Sequence, residues 1–267
     1  MPNPREYEFY HHISLAYANW DALNLTDAYN YLKRSSELLE QLSAGEKPTE
    51  LDTIKEQTSN LKHLNELMPE KPKLSTLELL KNKEAVRTLI FSIYHGAERR
   101  AKQGRWDTAS LLLYRLLEIF EQSRLASYGI DTANPEYNFD DISNKEILHK
   151  INETRNKLNL VQKNELPTPV SLIDGYMVLE AINDPFNLTE AKDGSGKGIH
   201  WRRFYNEIQK RNHSILAHGF VFVSSEQYED FKSMVDALFK LYCEIENIDF
   251  EISYNKNKFI NVSLRSV

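Results

Sequence analysis

The sequence has little of what several large classes of protein require. Its one cysteine, Cys243, excludes an internal disulfide and a multi-cysteine metal cage. No apolar run approaches the roughly 18 residues of a membrane span, since Arg115 interrupts the longest candidate, LLLYRLLEIF. The first residues, MPNPREYEFYHH, lack the basic and then apolar pattern of a secretory signal. We therefore expect a cytoplasmic protein that does not enter a membrane.

An excess of positive charge is also missing. The chain has 33 Lys and Arg residues against 39 Asp and Glu residues, and its formal net charge is −6. This balance excludes a protein that is basic over its whole surface, as many nucleic-acid-binding proteins are. Any contact with nucleic acid must therefore depend on a local basic patch. A hydrophobic content of 41% in 267 residues is ordinary for a globular protein of one or two domains.

Helical periodicity dominates what is present. Apolar residues recur in steps of three and four along residues 228–245 and along residues 86–97, as one buried face of a helix requires. Ser224, followed three residues later by Gln227, predicts a capping box at the start of the later helix. The fold class is predicted to be mainly α.

Two stretches of the sequence resemble each other weakly. Residues 25–41 align with residues 106–122, most clearly in RSSELLEQ against RLLEIFEQ. Both stretches follow another helical segment, so the match predicts two similar helical hairpins and is too short for a solenoid. The second hairpin is expected to contain a helix over residues 106–127, with Gly104 and Gly129 at its boundaries.

Polar and proline-containing residues interrupt the helical pattern between these hairpins. Residues 44–76 are predicted to form a linker or a loosely packed helix. We therefore predict an N-terminal helical hairpin with its linker over residues 1–76 and a helical domain over residues 77–267. At the end of the chain, FEISY and KFINV flank Asn255–Lys256–Asn257, which predicts a small C-terminal β-hairpin.

The segment RNHSILAHGF, residues 211–220, contains the strongest candidates for catalytic side chains. Arg211 and His218 are seven positions apart, so on one helix they would differ by about 20° around the axis and about 10.5 Å along it. We expect both on one face, with Gly219 ending the helix. A guanidinium can hold two phosphate oxygens, and an imidazole can move a proton near neutral pH. Asn212 would lie beside the pair and orient the imidazole or the phosphate.

Simpler interpretations stay open for these residues. An Arg and a His at this spacing are common, and a histidine at a helix end is often a cap. Three further residues, Arg202, Arg203 and Lys210, are candidates for an RNA-binding patch, although a solvated helix face explains them equally well.

Neither a phosphate-binding loop nor a metal site is predicted. KDGSGKG resembles a P-loop, but Ala191 stands where glycine is needed and Gly198 stands where serine or threonine is needed. A flexible loop is the expected structure there. The remaining histidines have no partner at the spacing of metal ligands, so we expect no metal and no other cofactor.

Three segments together carry a resemblance to a known family. RNHSILAHGF is similar to the signature of HEPN ribonucleases, which is Arg, a polar residue, several variable positions and His. The chain more specifically resembles the C-terminal region of type III CRISPR ancillary proteins that join a CARF sensor to a HEPN nuclease. The segments that carry this resemblance are RNHSILAHGF, GRWDTASLLLYRLLEIFEQSRLASYGIDT (104–132) and, less distinctly, YANWDALNLTDAYNYL (17–32).

The resemblance implies both a fold and an activity. It implies a HEPN-type helical bundle with an extra N-terminal helical region. It also implies a metal-independent endoribonuclease of antiviral defence, which cleaves single-stranded RNA by attack of the 2′-hydroxyl, with Arg211, Asn212 and His218 as site residues. The family further implies a homodimer with a composite cleft. The strand and helix alternation of a CARF sensor is missing, so we do not expect this chain to bind cyclic oligoadenylate.

Two other functions compete with this interpretation. The hairpin repeat and the acidic charge would also suit a helical scaffold that binds protein partners without catalysis. A HEPN fold that binds RNA, or acts in a toxin–antitoxin pair without cleaving RNA, is a third possibility.

Overall fold

A computed structural model of the chain describes residues 4–43, 49–67, 76–216 and 219–260. This part of the chain is mainly helical, which confirms the predicted fold class, and it contains two isolated β-bridges but no longer strand. None of its helices combines the length and the apolar character needed to cross a bilayer. The helices are α1 Pro4–Asp21, α2 Leu25–Leu42, α3 Thr49–Leu67, α4 Thr76–Lys81, α5 Lys83–Lys102, α6 Trp106–Ser127, α7 Asn144–Lys157, α8 Leu172–Ala181, α9 Trp201–Asn212, α10 Ser225–Ile245 and α11 Phe250–Asn257.

The first three helices share a hydrophobic cluster of their own. Trp20 of α1, Leu32 of α2 and Ile54 of α3 are fully buried in it. Helices α1 and α2 are joined by three residues, so they pack as the antiparallel hairpin that the sequence predicts. The indole Nε1 of Trp20 donates a hydrogen bond of 2.9 Å to Ser92 Oγ and so ties this cluster to α5.

The larger hydrophobic core is built from α5 to α10. Helices α5 and α6 form the second predicted hairpin, and Gly104 in their link has a φ of +72°, a left-handed conformation that favours glycine. The rings of Phe120 and Phe239 lie 5.1 Å apart at the centre of this core, where α6 meets α10. Both the predicted helix over 106–127 and its hairpin partner are therefore confirmed.

Side-chain caps define where several of these helices begin. Ser224 Oγ accepts from the backbone N–H of Gln227 at 3.2 Å, and Gln227 Oε1 accepts from the backbone N–H of Ser224 at 2.9 Å. The predicted capping box of α10 is thus confirmed.

Of the two structures predicted between the hairpins, a linker or a loosely packed helix, the helix is observed over residues 49–67, and it is well packed rather than loosely packed. This stretch is α3, and its buried residues recur at helical spacing: Leu51, Ile54, Gln57, Leu61 and Leu64. The surrounding charged residues lie on the other faces of the helix. The segment is therefore polar on average, although one of its faces is apolar and buried. Residues 44–48 and 68–75 lie outside the described part of the chain.

The predicted C-terminal β-hairpin is also wrong. FEISY belongs to α11, which begins where Asp249 Oδ1 accepts from the backbone N–H of Ile252 at 2.8 Å. Phe250 and Tyr254 are four residues apart and lie side by side on the face that packs against α5. The apolar residues of this segment therefore follow a helical spacing rather than the alternation of a strand. The last residues of KFINV lie outside the described residues.

The segment after α11 returns to the N-terminal helices. The Phe259 ring stacks on Tyr17 of α1 with 4.3 Å between ring centres, and Gln57 Nε2 donates to the carbonyl oxygens of Lys256 and Lys258 at 3.1 and 2.9 Å. The N-terminal cluster is therefore closed by residues from the far end of the chain. The division into residues 1–76 and 77–267 stays a prediction.

Candidate functional site

Helix α9 places Arg211 and Asn212 in its last turn. The helix ends at Asn212, and His213 follows as its C-cap, so the predicted continuation of the helix through His218 is wrong. The His213 ring donates through Nδ1 to the carbonyl oxygen of Gln209 at 2.6 Å. That contact covers the helix end, and the chain then turns back on itself. Ala217 and His218 lie outside the described residues, so the pairing of Arg211 with His218 stays a prediction.

The chain that leaves α9 forms a return loop, which we define as the described residues 213–216 and 219–223. The backbone N–H of Ile215 donates to Val221 O at 3.0 Å, which brings the two arms of the loop together. Gly219 lies so close to the first arm that a Cβ atom there would be 1.8 Å from His213 O. Glycine is thus required by the close approach of two backbones, and it does not end a helix as the sequence suggested. The backbone N–H of Val223 donates to Asp107 Oδ1 at 3.0 Å, which anchors the loop to the start of α6.

The guanidinium of Arg211 is held in one orientation by two neighbours. Its Cζ lies 3.9 Å from the centre of the Tyr114 ring of α6, a cation–π contact. Its Nη1 donates to Asn212 Oδ1 at 3.3 Å. Burial lowers the pKa of Arg211, whereas nearby Tyr114 and Glu118 act in the opposite direction. Since an arginine pKa lies so far above neutrality, the group stays charged.

Arg211 lines two neighbouring cavities. One is an open groove along α6, where Tyr114, Arg115 and Glu118 face Arg211 and Asn212. The other is a smaller and more enclosed pocket of about 350 Å³, a volume that includes space continuous with solvent. We call the second cavity the Ser110 pocket, since Ser110 of α6 lines it together with Glu207 of α9 and Gln227 of α10. A charged group that can bind phosphate thus stands where a groove and a pocket meet.

The return loop exposes an unusual amount of apolar surface beside this site. Phe220 is 90% exposed, and its neighbour Phe222 is 73% exposed. Scattered apolar side chains on a surface are ordinary, but a contiguous group marks a surface that another molecule covers. The group comprises Ile215, Leu216, Phe220, Val221 and Phe222.

The three residues predicted to bind RNA all have partners within the chain. Arg202 donates to the carbonyl oxygen of Lys157 at 2.8 Å, at the end of α7, and Arg203 pairs with Asp193. Lys210 Nζ lies 2.6 Å from a carboxylate oxygen of Glu207, and it lines the Ser110 pocket with Arg211. The structure therefore directs these side chains to different partners, and their role in RNA binding stays a prediction.

The segment DGSGKG is a structured turn, in contrast to the flexible loop expected from the sequence. Asp193 accepts from the hydroxyl of Ser195 at 2.6 Å and from its backbone N–H at 2.9 Å. These bonds, with the ion pair to Arg203, lower the pKa of Asp193 strongly. Asp193 thus organises the turn, and Arg203 of α9 attaches the turn to the helix that carries the site.

Sequence reasoning missed Tyr114, because it assigned the aromatic residues of this region to packing. Tyr114 lies on α6, 97 positions before Arg211 in the sequence, and its contact with that residue depends on how α6 and α9 pack. The available signal was the polar sequence Tyr114–Arg115 with Glu118 one turn later, inside the otherwise apolar stretch LLLYRLLEIF. Within the described residues, no three His, Cys, Asp or Glu side chains come together as a possible metal site.

The sequence matches the profile of a protein family described as the Csm6 HEPN domain over residues 78–242, which is more than half of the chain. This range contains α5 to α9 completely and most of α10, and therefore includes Arg211, Asn212 and the Ser110 pocket. A search of curated proteins found no match for the chain.

Proposed function

Because the chain belongs to the Csm6 HEPN domain family, which is CRISPR-associated, we propose that it is a cytoplasmic endoribonuclease that cleaves single-stranded RNA in antiviral defence. The observation that carries this proposal is the environment of Arg211. A half-buried guanidinium, oriented by Tyr114 and Asn212, lies between an open groove and a more enclosed pocket. An extended RNA strand in the groove would bring a phosphate to this group.

The proposed reaction is an internal transfer at phosphorus. The 2′-oxygen of the RNA attacks the adjacent phosphorus, the bond to the 5′-oxygen breaks, and the products carry a 2′,3′-cyclic phosphate and a 5′-hydroxyl. Arg211 binds the non-bridging oxygens and stabilises the negative charge that develops on them. His218 takes the proton of the 2′-hydroxyl or gives a proton to the departing 5′-oxygen. The scheme requires no metal, because the RNA supplies its own nucleophile.

We further propose that the active form is a homodimer. The exposed apolar group of the return loop lies directly beside Arg211 in the sequence and in space, and a second copy of the chain would cover it. In a two-fold dimer the same surface meets itself. The Arg211 and His218 side chains of both protomers would then share one cleft.

Cleavage of labelled single-stranded RNA in the presence of EDTA tests this function. We expect the wild-type protein to produce 2′,3′-cyclic phosphate ends, and we expect Arg211→Ala and His218→Ala to reduce kcat by about 100-fold or more, as loss of a transition-state contact does. Arg34→Ala is a matched control, since Arg34 pairs with Glu8 on the N-terminal helices. Undiminished cleavage by Arg211→Ala, or no cleavage by the wild type, would contradict the proposal.

A further inference from the structure

The open groove along α6 contains a second arginine besides Arg211. We call this cavity the α6 groove, and the residues that line it include Leu111, Leu112, Tyr114, Arg115, Arg211 and Asn212. Its volume of about 890 Å³, which includes space open to solvent, lies within the range of about 300–1,000 Å³ for ligand sites. The Arg115 side chain is 49% exposed. The groove therefore offers two guanidinium groups to one ligand.

The ion pair of Arg115 connects no separate parts of the fold. Its Nη1 donates to Glu118 Oε2 at 2.9 Å, one turn later on the same helix. Several other arginines connect a helix to another part of the chain, as in the pairs Arg34–Glu8, Arg124–Asp184, Arg155–Asp174 and Arg203–Asp193. An exposed pair within one helix contributes little to stability. Arg115 can therefore exchange Glu118 for another anion at little cost to the fold.

Glu118 makes the groove a weaker phosphate site than its two arginines alone would be. Its carboxylate pairs with Arg115. Burial lowers the pKa of Arg211, and the negative charge of Glu118 opposes that shift, so Glu118 acts on both arginines. A carboxylate has no proton to donate to a phosphate, and the two negative charges repel each other. A phosphate that binds Arg115 must therefore replace Glu118 there.

Tyr114 and Arg115 place the two guanidinium groups along one path. The two residues are consecutive on α6, so their Cα atoms are about 3.8 Å apart and their side chains diverge by about 100°. Tyr114 holds the Arg211 Cζ at 3.9 Å from its ring centre, whereas Arg115 projects from the exposed side of the groove. An extended strand with one phosphate at Arg211 can thus carry its next phosphate to Arg115.

We infer that the α6 groove binds two neighbouring phosphates of single-stranded RNA, with Arg211 at the scissile phosphate and Arg115 at the phosphate next to it. The second phosphate replaces Glu118 as the partner of Arg115. A contact to phosphate carries no base information, so Arg115 adds affinity and fixes the position of the strand without selecting its sequence. This inference rests on the proposed function, since the strand in the groove is the RNA that Arg211 helps to cleave.

The salt dependence of binding tests the contact without catalysis. A fully 2′-O-methylated RNA cannot be cleaved by its own 2′-oxygen, and fluorescence anisotropy gives its affinity between about 50 and about 200 mM salt. We expect Arg115→Gln to weaken binding about fivefold at the lower concentration. The slope of log K against log salt should become shallower by about 0.7, the value for one phosphate of a single strand.

Arg34→Gln is the matched control for this measurement. The Arg34 side chain is 42% exposed and also pairs with a carboxylate, that of Glu8, on the N-terminal helices. We expect it to leave the slope unchanged. An unchanged slope in Arg115→Gln, or no binding of RNA by the wild type, would overturn the inference.

Glu118→Gln should have the opposite effect on affinity. Removal of the competing carboxylate should tighten binding of the same RNA about twofold or more, because the charge lies within one Debye length of both arginines. Glu37→Gln is the matched control, since Glu37 pairs with Arg34 three residues earlier on α2. Equal effects of the two substitutions would mean that Glu118 acts only through the net charge, and would contradict the exchange at Arg115.

Neutral linkages in the RNA locate the second phosphate. The substrate is 2′-O-methylated except at one cleavable ribonucleotide, and a methylphosphonate replaces the phosphate on one side or the other of the scissile bond. One of the two replacements should lower kcat/KM of the wild type about fivefold and have little effect in Arg115→Gln, because the two charges act as a pair. Equal losses in the wild type and in Arg115→Gln would overturn the inference.

The outcomes separate this inference from the proposed function. Binding with the expected slopes but without cleavage would contradict the ribonuclease proposal and support the phosphate contact of Arg115. Cleavage with an unchanged slope in Arg115→Gln would do the reverse. If Arg115→Gln changes the sedimentation of the protein and leaves the slope unchanged, the groove belongs to a protein interface, and the inference is wrong.

Discussion

Tyr114 acts on the candidate site through Arg211. A free arginine side chain loses considerable conformational entropy when it is held in one geometry. In this protein the Arg211 side chain loses that entropy during folding, before RNA binds, since the Tyr114 ring and the Asn212 side chain orient the guanidinium. Burial raises the pKa of Tyr114, so its ring keeps the hydroxyl proton at neutral pH. Tyr114 is therefore a positioning residue, and its ring, rather than its hydroxyl, holds the Arg211 guanidinium.

The two parts of Tyr114 can be separated by substitution. Tyr114→Phe keeps the ring and should retain kcat/KM for single-stranded RNA within about twofold, whereas Tyr114→Leu should lower it by about tenfold, which is the scale of one partly buried cation–π contact. Both variants should unfold near the wild-type temperature, because the side chain is half-buried. Equal losses in the two variants would assign the effect to the hydroxyl and contradict the positioning role.

Glu121 presents a different residue-scale feature, a carboxyl buried in the core. Its Oε1 has no hydrogen-bond partner among the described residues, and it packs so closely on Gly175 of α8 that a Cβ there would lie 1.6 Å away. Burial, and to a smaller extent the charge of Glu118, raise the pKa of Glu121 well above its ordinary value of 4.5. The folded protein therefore holds this proton more tightly than the unfolded chain does.

This proton makes stability depend on pH. Because the folded pKa is raised, the contribution of Glu121 is fully present below about pH 4.5 and is lost as pH rises toward the raised value. Glu121→Gln removes the titration, so its free energy of unfolding relative to the wild type should increase between pH 5 and 8, by about 1.4 kcal/mol for each pH unit below the raised pKa. Thermal unfolding of both proteins across this range measures the difference. A difference that does not change with pH would show that Glu121 is ionised in the fold.

At the scale of elements, the end of α9 and the return loop form one unit. Helix α9 carries Arg211, and the loop brings residues 221–223 back over the helix end to the Ser110 pocket. The loop is fixed at its arms by backbone hydrogen bonds and at its end by Asp107 of α6. Few of its side chains are buried, so it shapes the site without contributing much to either hydrophobic core.

Gly219→Ala should therefore damage the site more than the fold. The new methyl group would collide with the carbonyl of His213, a backbone atom that no side-chain rotation can move. We expect the loop to shift and RNA cleavage to fall more than tenfold, since misplacement of groups by about 1 Å can cost about 100-fold in rate. Gly194→Ala is the matched control, because a Cβ at Gly194 meets nothing within 4 Å. Parallel losses of activity and of unfolding temperature would show instead that the loop supports the core.

At the scale of the whole molecule, two hydrophobic clusters are held together by contacts between distant parts of the chain. Asp21 of α1 pairs with Arg99 and Arg100 of α5, and Arg99 also lies over the Phe259 ring at 4.0 Å. These contacts attach the three N-terminal helices to the helical bundle that the family profile covers. The exposed apolar residues of the return loop lie on the bundle, and the proposed dimer would bury them.

The proposed dimer predicts a specific effect of charge on that surface. Phe220→Asp should convert the protein from a dimer to a monomer in analytical ultracentrifugation and should reduce RNA cleavage in parallel, because a carboxylate cannot be buried in an apolar interface without a partner. Val161→Asp is the matched control, since Val161 is 84% exposed and lies outside the return loop. A wild-type protein that sediments as a monomer, or a dimer that survives Phe220→Asp, would contradict the composite cleft.

Local features of the chain could be predicted from the sequence alone. The mainly helical class, the α6 helix and the capping box at Ser224 depend on residues within one or two helical turns of each other. The two hairpins follow from the short links between consecutive helices. The hydrogen bond from Arg211 to Asn212 is also local, but it was not predicted, since Asn212 was expected to orient the imidazole or the phosphate. Short-range periodicity and capping chemistry carry this information, because the interacting groups are close in sequence.

The tertiary structure decided what depends on packing between distant segments. The sequence of FEISY is compatible with a strand or a helix, and contact of Phe250 and Tyr254 with α5 selects the helix. The stacking of Arg211 on Tyr114 and the assembly of the Ser110 pocket from α6, α9 and α10 likewise have no local signature. Residues identify the chemistry available to this protein, and the packing of its helices determines which of those residues meet, because burial and side-chain contact arise only when separate helices come together.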